Sequence, residues 1–366
     1  MKILHISSAR DFGGGERHLV DLCRELVKRG HEVFVALRPT CTWKDRLDLV
    51  AEQNFLTVSI RNSFGMFSAK KIGSFVNKHQ IDIVHAHLAR DYLAASVADR
   101  MASRSKLVLT RHVVFPMKPF HKLALRNVDA AIAVSSVVQT ELKNIFPPSK
   151  IKLIHNGLNF TIANDRQKLG NEFRQFHRIP VDVPLIGTVG ELKPLKGQRD
   201  LVIAASEIVK KFPDARFVVA GLDHTIDKRF RRELKRLVSV FGLEHQFLWL
   251  DWLEDLTPLL SALDVYVAPS HSESFGLATL EAMSNGVPVV STATDGAKEM
   301  IDDHDLLVPI EDPIAISKMV DELLSSSENA REIAERLRSS ARSRYSLDTM
   351  VDRTESLYNE LIASRS

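Results

Sequence analysis

DVYVAPSHSESFGLATLEAMSNGVPVVST, residues 264–292, reads as a strand, a polar loop, a helix and a second strand in direct succession. DVYVAPS is a short apolar run of the kind that fills a fully buried strand, and SHSES is loop. GLATLEAMSNG carries a helical pattern that ends near Gly286, and Pro288 forbids its continuation. VPVVST then returns as a second buried strand. Strand, helix and strand in sequence predict a parallel pair covered by its connecting helix.

The same alternation extends outward in both directions. Upstream lie PLIGTVGEL, a helix over 198–212, ARFVVAG, a helix over 228–241, and QFLWLDW; downstream is a short DLLVPI strand. The first half repeats the scheme with KILHISS (2–8), a helix from Glu16 to Arg29 stopped by Gly30, HEVFVALRP, IDIVHAHL, KLVLTRH, DAAIAVSS and KIKLIHNGLN. Between the halves, the polar stretch 160–182 lacks a clean strand and is expected to hold the hinge. The expected domains are therefore 1–165 and 175–344, with a helical tail, 345–366, that crosses back to the first. Open α/β sheets bind ligands beyond the C-terminal ends of their strands, so the residues just after each strand are the candidates for function.

A chain of 366 residues suits two such domains. Residues 1–170 carry 26 Lys and Arg against 14 Asp and Glu, whereas the remainder carries 23 against 32. That change of sign supports two domains with different partners. No nucleic-acid motif accompanies the basic half, so nucleic acid is not an expected partner. No apolar run approaches a membrane span, and the N-terminus reads as a strand rather than a leader. The two cysteines, Cys23 and Cys41, fit reduced thiols in the cytoplasm.

Glu273 and Glu281 bracket the Ser-Phe-Gly that turns into the helix. The helix N-terminus between them favours an anion, and the rise per residue puts the two carboxylates roughly 10 Å apart. A molecule with a negative centre and hydroxyls at both ends matches that spacing, and a nucleotide diphospho-sugar is such a molecule. Spacing alone leaves open that both glutamates are ordinary helix-terminus residues. Gly13, Gly14 and Gly15 likewise follow a strand and open a helix, without a Walker lysine or GxGxxG; a flexible turn is their other reading. Residues 100–128 hold seven Lys and Arg and no acid, interleaved with Phe115, Met117, Phe120 and Leu123. This is either a solvated face or an edge that meets anionic lipid or an acidic acceptor.

The segment APSHSESFGLATLEAMSNGVPVVST resembles the Glu-x7-Glu signature of family 4 retaining glycosyltransferases with the GT-B fold. FGGGERHLVDLCREL, DIVHAHL, TRH, AVS, IHNGLN and VGELKPLKGQRDLVIAA resemble that family's other landmarks in order, over nearly the whole chain. The resemblance implies two facing Rossmann-like doubly wound domains with a cleft between them. It implies transfer of a sugar from a nucleotide-sugar donor to a hydroxyl acceptor, which is lipid-linked in some members, with peripheral contact at the inner face of the membrane. Glu281 is then expected on the ribose hydroxyls and Glu273 beside the donor sugar. Phe275, Gly276 and Leu277 offer backbone amides to sugar and phosphate, and Lys196 stands as the phosphate lysine. His112, after its strand, is expected at the donor sugar, and Gly14 and Gly15 near the diphosphate or the acceptor. His85 and His87 are expected to pack structurally at the domain edge. No metal and no cofactor are implied, the donor being a co-substrate.

One position departs from the pattern. The family usually carries an arginine where this chain has Glu191, reversing a charge and removing a bidentate donor. Lys193 or Arg199 then compensates, or Glu191 turns away. The departure keeps in play a nucleotide-sugar-binding module without turnover; a sugar-nucleotide epimerase on the same fold is the other alternative, against which the full series of landmarks favours the transferase.

Overall fold

The computed structural model describes residues 1–60, 66–102, 105–160, 165–302 and 306–364. Arg104 of the basic run, residues 161–164 of the polar stretch, Asp305 of DLLVPI and the last two residues of the tail lie outside them. The chain divides into two compact units, Met1–Gly157 with Leu347–Ser366, and Leu158–Ser346.

In the first unit the elements are β1 (Lys2–Ser7), α1 (Gly14–Lys28), β2 (Glu32–Leu37), β3 (Phe55–Thr57), α2 (Met66–His79), β4 (Ile83–Ala86) and α3 (Tyr92–Met101). There follow β5 (Lys106–Arg111), α4 (His121–Ala124), β6 (Ala130–Ala133), α5 (Ser136–Leu142) and β7 (Ile151–Leu153). The strands form one parallel sheet in the order β3-β2-β1-β4-β5-β6-β7. Leu19, Leu22, Cys23 and Leu26 recur at helical spacing on α1 and are fully buried. They share one core with Val33 and Val35 and with Leu347, Met350, Val351, Leu357 and Tyr358 of the C-terminal helix.

The second unit contains α6 (Arg166–Phe176), β8 (Leu185–Val189), α7 (Gln198–Lys211), β9 (Arg216–Ala220), α8 (Arg229–Val240), β10 (Phe247–Leu250) and α9 (Thr257–Ala262). It continues with β11 (Val265–Ala268), α10 (Leu277–Ser284), β12 (Val289–Thr292), α11 (Asp295–Met300), β13 (Leu307–Val308), α12 (Pro313–Ser325) and α13 (Ser327–Arg344). The last helix, α14 (Leu347–Ala363), belongs to the first unit. The second sheet is also parallel, in the order β10-β9-β8-β11-β12-β13.

The polar stretch expected to carry the hinge folds instead into the second unit as α6. Asp165 caps it by accepting the Lys168 amide at 2.9 Å. Arg174, 6% exposed, donates to the carbonyls of Ala262, Pro180 and Val183 and to the Asp264 carboxylate. The chain passes between the units earlier, at Gly157–Leu158. A charged residue buried against acceptors far along the chain, the Ala262 carbonyl and the Asp264 carboxylate, leaves no signature in the local pattern, which is why polarity there reads as linker.

In each sheet the order reverses once beside the first strand of the unit: between β1 and β4, and between β8 and β11. Loops leaving two adjacent strands at such a point diverge to opposite faces of the sheet and open a crevice at its C-terminal edge. The glycine run follows β1, the KPLKGQR loop follows β8, and the SHSESFG loop follows β11.

Candidate functional site

The loops after β8 and β11 are fastened to each other. The His271 amide donates to Leu195 O at 2.9 Å, and the Lys196 ammonium pairs with the Glu273 carboxylate, both side chains about three-quarters buried. Gly197, at φ +65°, lies against the Pro269 carbonyl, where an added Cβ would stand 1.8 Å from the oxygen. Only glycine allows that approach. The candidate cation and the first candidate carboxylate, 77 residues apart in sequence, are thereby neighbours.

Gly276 (φ +99°) is the N-cap of α10, whose first hydrogen bond runs from the Leu280 amide to Gly276 O. The amides of Leu277, Ala278 and Thr279 are therefore those with no acceptor inside the helix, the usual basis of an anion site. Phe275 supplies backbone to this turn while its ring is buried at 4% exposure, edge-on to Tyr345 at 5.4 Å. The turn is backed by α11: Gly296 N donates to Glu273 O at 3.0 Å, and a Cβ on Gly296 would come within 2.9 Å of both Glu273 O and Phe275 O. Glu281 lies one turn into α10, half-buried. Both Glu273 and Glu281 act on Tyr266 beneath them, whose hydroxyl pKa is pushed up by burial first and by these two charges in addition.

Glu191 projects from the end of β8 with its side chain 42% exposed and pairs with Lys193 at 2.5 Å. Its charge is thus answered locally, while its carbonyl accepts from the buried Gln198 amide at 3.0 Å. Arg199 is exposed on α7. Of the three cations in this loop, Lys196 is the one paired with the carboxylate of the neighbouring loop.

In the first unit Gly13 caps α1, and Gly14 and Gly15 form its first turn, so the glycines belong to the helix that the sequence places from Glu16 onward. A Cβ on Gly15 would meet the His112 ring at 3.7 Å, which sets the candidate histidine directly against the glycine turn. His112 belongs to a group of five. His5 and His85 are register partners on β1 and β4, and His5 Nδ1 lies 3.0 Å from His87 Nε2. His85 uses both nitrogens, on the Tyr358 hydroxyl and on Thr110 Oγ1, each at 2.6 Å. The His18 ring packs edge-on to His112 at 4.9 Å. Burial lowers all five pKa values, to about 3 for His5 and about 4 for His18, so the group is neutral. Coulombic repulsion within the group adds to the shift of His5, His85, His87 and His112.

Ring nitrogens of His5, His85 and His87, and of His18, His87 and His112, lie within 4.8 Å of one another, close enough to share an ion. Neither triad includes a carboxylate, and in the first His85 already gives both nitrogens to hydroxyls. The group is neutral yet not fully satisfied, since His5 Nε2 and His87 Nδ1 are buried without a hydrogen-bond partner among the described residues. With no carboxylate to offset an ion's charge, it suits a packed neutral cluster better than a metal centre. Sequence reasoning placed His85 and His87 in packing but did not bring in His5 or His18. The β1–β4 pairing brings in His5, and the packing of α1 brings in His18. It also missed Asp200 and Glu311, whose carboxylates lie 2.6 and 3.2 Å from the ring nitrogens of His271.

Two parallel doubly wound units, one of which sets a lysine, a carboxylate and a helix N-terminus at its switch point, have the architecture of the GT-B class. Residues 12–161 match the family described as Glycosyltransferase Family 4, and residues 170–344 the family described as Glycosyl transferases group 1. The chain belongs to the family 4 glycosyltransferases. It is 24% identical over the full length of both chains to the lipopolysaccharide core biosynthesis glycosyltransferase LpsE of Rhizobium meliloti. It is also 24% identical to N-acetyl-alpha-D-glucosaminyl L-malate synthase of Bacillus anthracis, over 93% of this chain and 92% of the other. In fold it is similar to a glycosyltransferase from Rickettsia africae (TM-score 0.87, 22% identity, 100% and 99% covered). It is similar as well to Anabaena HepE in complex with UDP (TM-score 0.84, 22% identity, 98% and 100% covered).

Proposed function

We propose that this glycosyltransferase takes a nucleotide diphospho-sugar donor and transfers the sugar with retention at the anomeric carbon, without a metal. The observation that carries the reading is the meeting of Lys196, Glu273 and the α10 N-terminus at the β8–β11 switch point. The diphosphate lies at the α10 N-terminus, where Leu277 of the amides expected at 275–277 is joined by Ala278 and Thr279, Glu281 takes the ribose diol, and Glu273 takes sugar hydroxyls. HepE, similar in fold, has been seen with UDP and with UDP-glucose, which supports a donor of this type. As the bond between the anomeric carbon and the phosphate oxygen breaks, charge grows on the diphosphate. Lys196 and the amides stabilise that charge more than the ground state. The acceptor oxygen bonds the anomeric carbon on the same face, and its proton passes to the departing phosphate oxygen. No side-chain nucleophile takes part; the protein positions the reactants and stabilises charge. His112 lies neutral beside Gly15, as a hydrogen-bonding partner for the sugar rather than an acid.

Thermal stabilisation by a panel of nucleoside diphosphates and their sugars tests the donor. An NMR assignment of the product anomer tests retention: an inverted product would overturn the mechanism, and tight binding with no turnover on any donor would favour the binding-module reading.

The acceptor in this reading is lipid-linked or anionic and is met in the cytoplasm at the inner face of the membrane. No described helix is long and apolar enough to cross a membrane. The segment after His112 exposes Phe115 at 63% and Leu123 at 70%, beside the exposed Lys118, Lys122 and Arg126. Apolar tips among cations suit an anionic interface. Flotation with anionic vesicles should recover the protein, and Phe115→Asp with Leu123→Asp should abolish recovery; equal recovery with neutral lipid would remove this contact.

A further inference from the structure

We infer that His271 is a positioning residue: its imidazole, held between Asp200 and Glu311, pins the loop that carries Glu273 and leads to the α10 amides. The inference deepens the donor site proposed above and rests on it for its effect on binding, but not for its structural content.

The need for a pin follows from the loop itself. Between the end of β11 at Ala268 and the start of α10 at Leu277 the backbone has no regular ladder. Its position therefore depends on individual tertiary contacts. One of these, the Lys196–Glu273 pair, joins two groups that the donor site itself employs. A lysine drawn to a diphosphate shares its charge and holds Glu273 less firmly. Backbone bonds from His271 N to Leu195 O and from Gly296 N to Glu273 O hold it as well, and what remains to be supplied is a side-chain fastener that takes no part in the exchange.

His271, two residues before Glu273, meets that need. Nε2 lies 2.6 Å from Asp200 Oδ2, on the first turn of α7, and Asp200 is 8% exposed. Nδ1 lies 3.2 Å from Glu311 Oε1, in the turn between β13 and α12. The loop is thereby tied to two other elements of the unit. Both nitrogens face carboxylate oxygens, so whichever nitrogen carries a proton has an acceptor within reach. Glu311 makes its contact from φ +62°, a left-handed conformation that a glycine adopts more easily. A strained residue that persists with its carboxylate on a neighbouring side chain is a sign that the contact is used. Gly197 stands 3.2 Å (as a built Cβ) from His271 Cδ2, closing the remaining side of the ring.

The test is amide hydrogen exchange in the full chain, which needs no ligand. His271→Ala should speed exchange across 270–277 at least tenfold and leave β8 and β11 unchanged. Unchanged exchange in that loop overturns the inference. Adding Asp200→Ala to His271→Ala should have no further effect on the loop, whereas independent effects would show that His271 does not act through Asp200. His271→Gln, which keeps one donor, should recover part of the protection. If His271→Ala fails to fold, Glu311→Gly removes one arm and relieves the left-handed strain. It should speed loop exchange without lowering Tm, and no change in exchange again overturns the inference. Binding of a nucleoside diphosphate should weaken about tenfold in His271→Ala, with the donor KM rising more than kcat falls. Wild type that binds no nucleoside diphosphate, with exchange behaving as stated, would overturn the donor reading and leave the pin standing.

Discussion

The buried histidine group makes the first unit sensitive to acid by an amount that the structure sets. His5 and His18, with pKa values lowered to about 3 and about 4, are neutral in the fold at every pH above about 5. In the unfolded chain each takes up a proton as pH falls through about 6.5. The unfolded state then binds more protons, so stability falls as pH falls. Between pH 7 and pH 5 each of these two costs about 2 kcal/mol by linkage, close to 4 together. Asp91 opposes this. Burial raises its pKa to about 6 despite the hydrogen bonds from Ser8, so on acidification it is protonated in the fold first and returns about 1.3 kcal/mol over the same range. The balance is a loss of about 2.5 kcal/mol. His85, His87 and His112 enlarge it, while Glu16, Asp21 and Asp99, whose pKa values burial also raises, offset part. Trp43 is buried in the first unit, and Trp249 and Trp252 lie in the second. In a Trp249→Phe, Trp252→Phe background, urea unfolding followed by fluorescence therefore reads the first unit alone. The free energy of that transition should drop by 2.5 kcal/mol or more from pH 7 to pH 5, an approximate figure from linkage. His18→Gln should reduce the pH dependence by about 2 kcal/mol. A transition equally stable at both pH values, or histidine resonances titrating near pH 6.5 in the folded protein, would refute the reasoning.

Lys196→Ala should lower kcat by roughly 100- to 1,000-fold, as for removal of one charge-stabilising donor; near-normal turnover in steady-state assays would take it out of the site. Glu281→Ala should weaken nucleotide binding by calorimetry about 10- to 100-fold, the worth of hydrogen bonds to a charged group, with a smaller effect on the turnover of saturated enzyme. Gly197→Ala should cost at least about 2 kcal/mol in unfolding measurements, because a left-handed backbone and a carbonyl 1.8 Å from the new Cβ cannot both be relieved; a neutral substitution would mean that the two loops separate easily. Glu191→Arg breaks only an exposed pair with Lys193, so its melting temperature should stay within a few degrees of wild type, and its kcat should rise if the position faces phosphate.

What the residues determine locally reaches far in this protein. Apolar runs bounded by glycine and proline mark most of the strands, and their alternation with helical patterns implies parallel sheets. The Glu-Ser-Phe-Gly turn marks the start of a helix, whose first amides lack acceptors within it by geometry alone. Short-range signals of this kind depend on backbone preference and periodicity, which act over a few residues.

The rest depends on which strands lie side by side, and no local preference encodes that. The β8–β11 adjacency brings Lys196 to Glu273 and His271 to Asp200. The β1–β4 adjacency, with α1 and the end of β5 packed beside it, turns separate histidines into one neutral group. Arg174 converts a polar stretch that resembles a linker into a docked helix by reaching two acceptors distant in sequence, the Ala262 carbonyl and the Asp264 carboxylate, besides the nearby carbonyls of Pro180 and Val183. Burial of a charged or titratable side chain is decided by its neighbours in space. For that reason the site's partners, its protonation states and the true crossing point at Gly157–Leu158 belong to the tertiary structure.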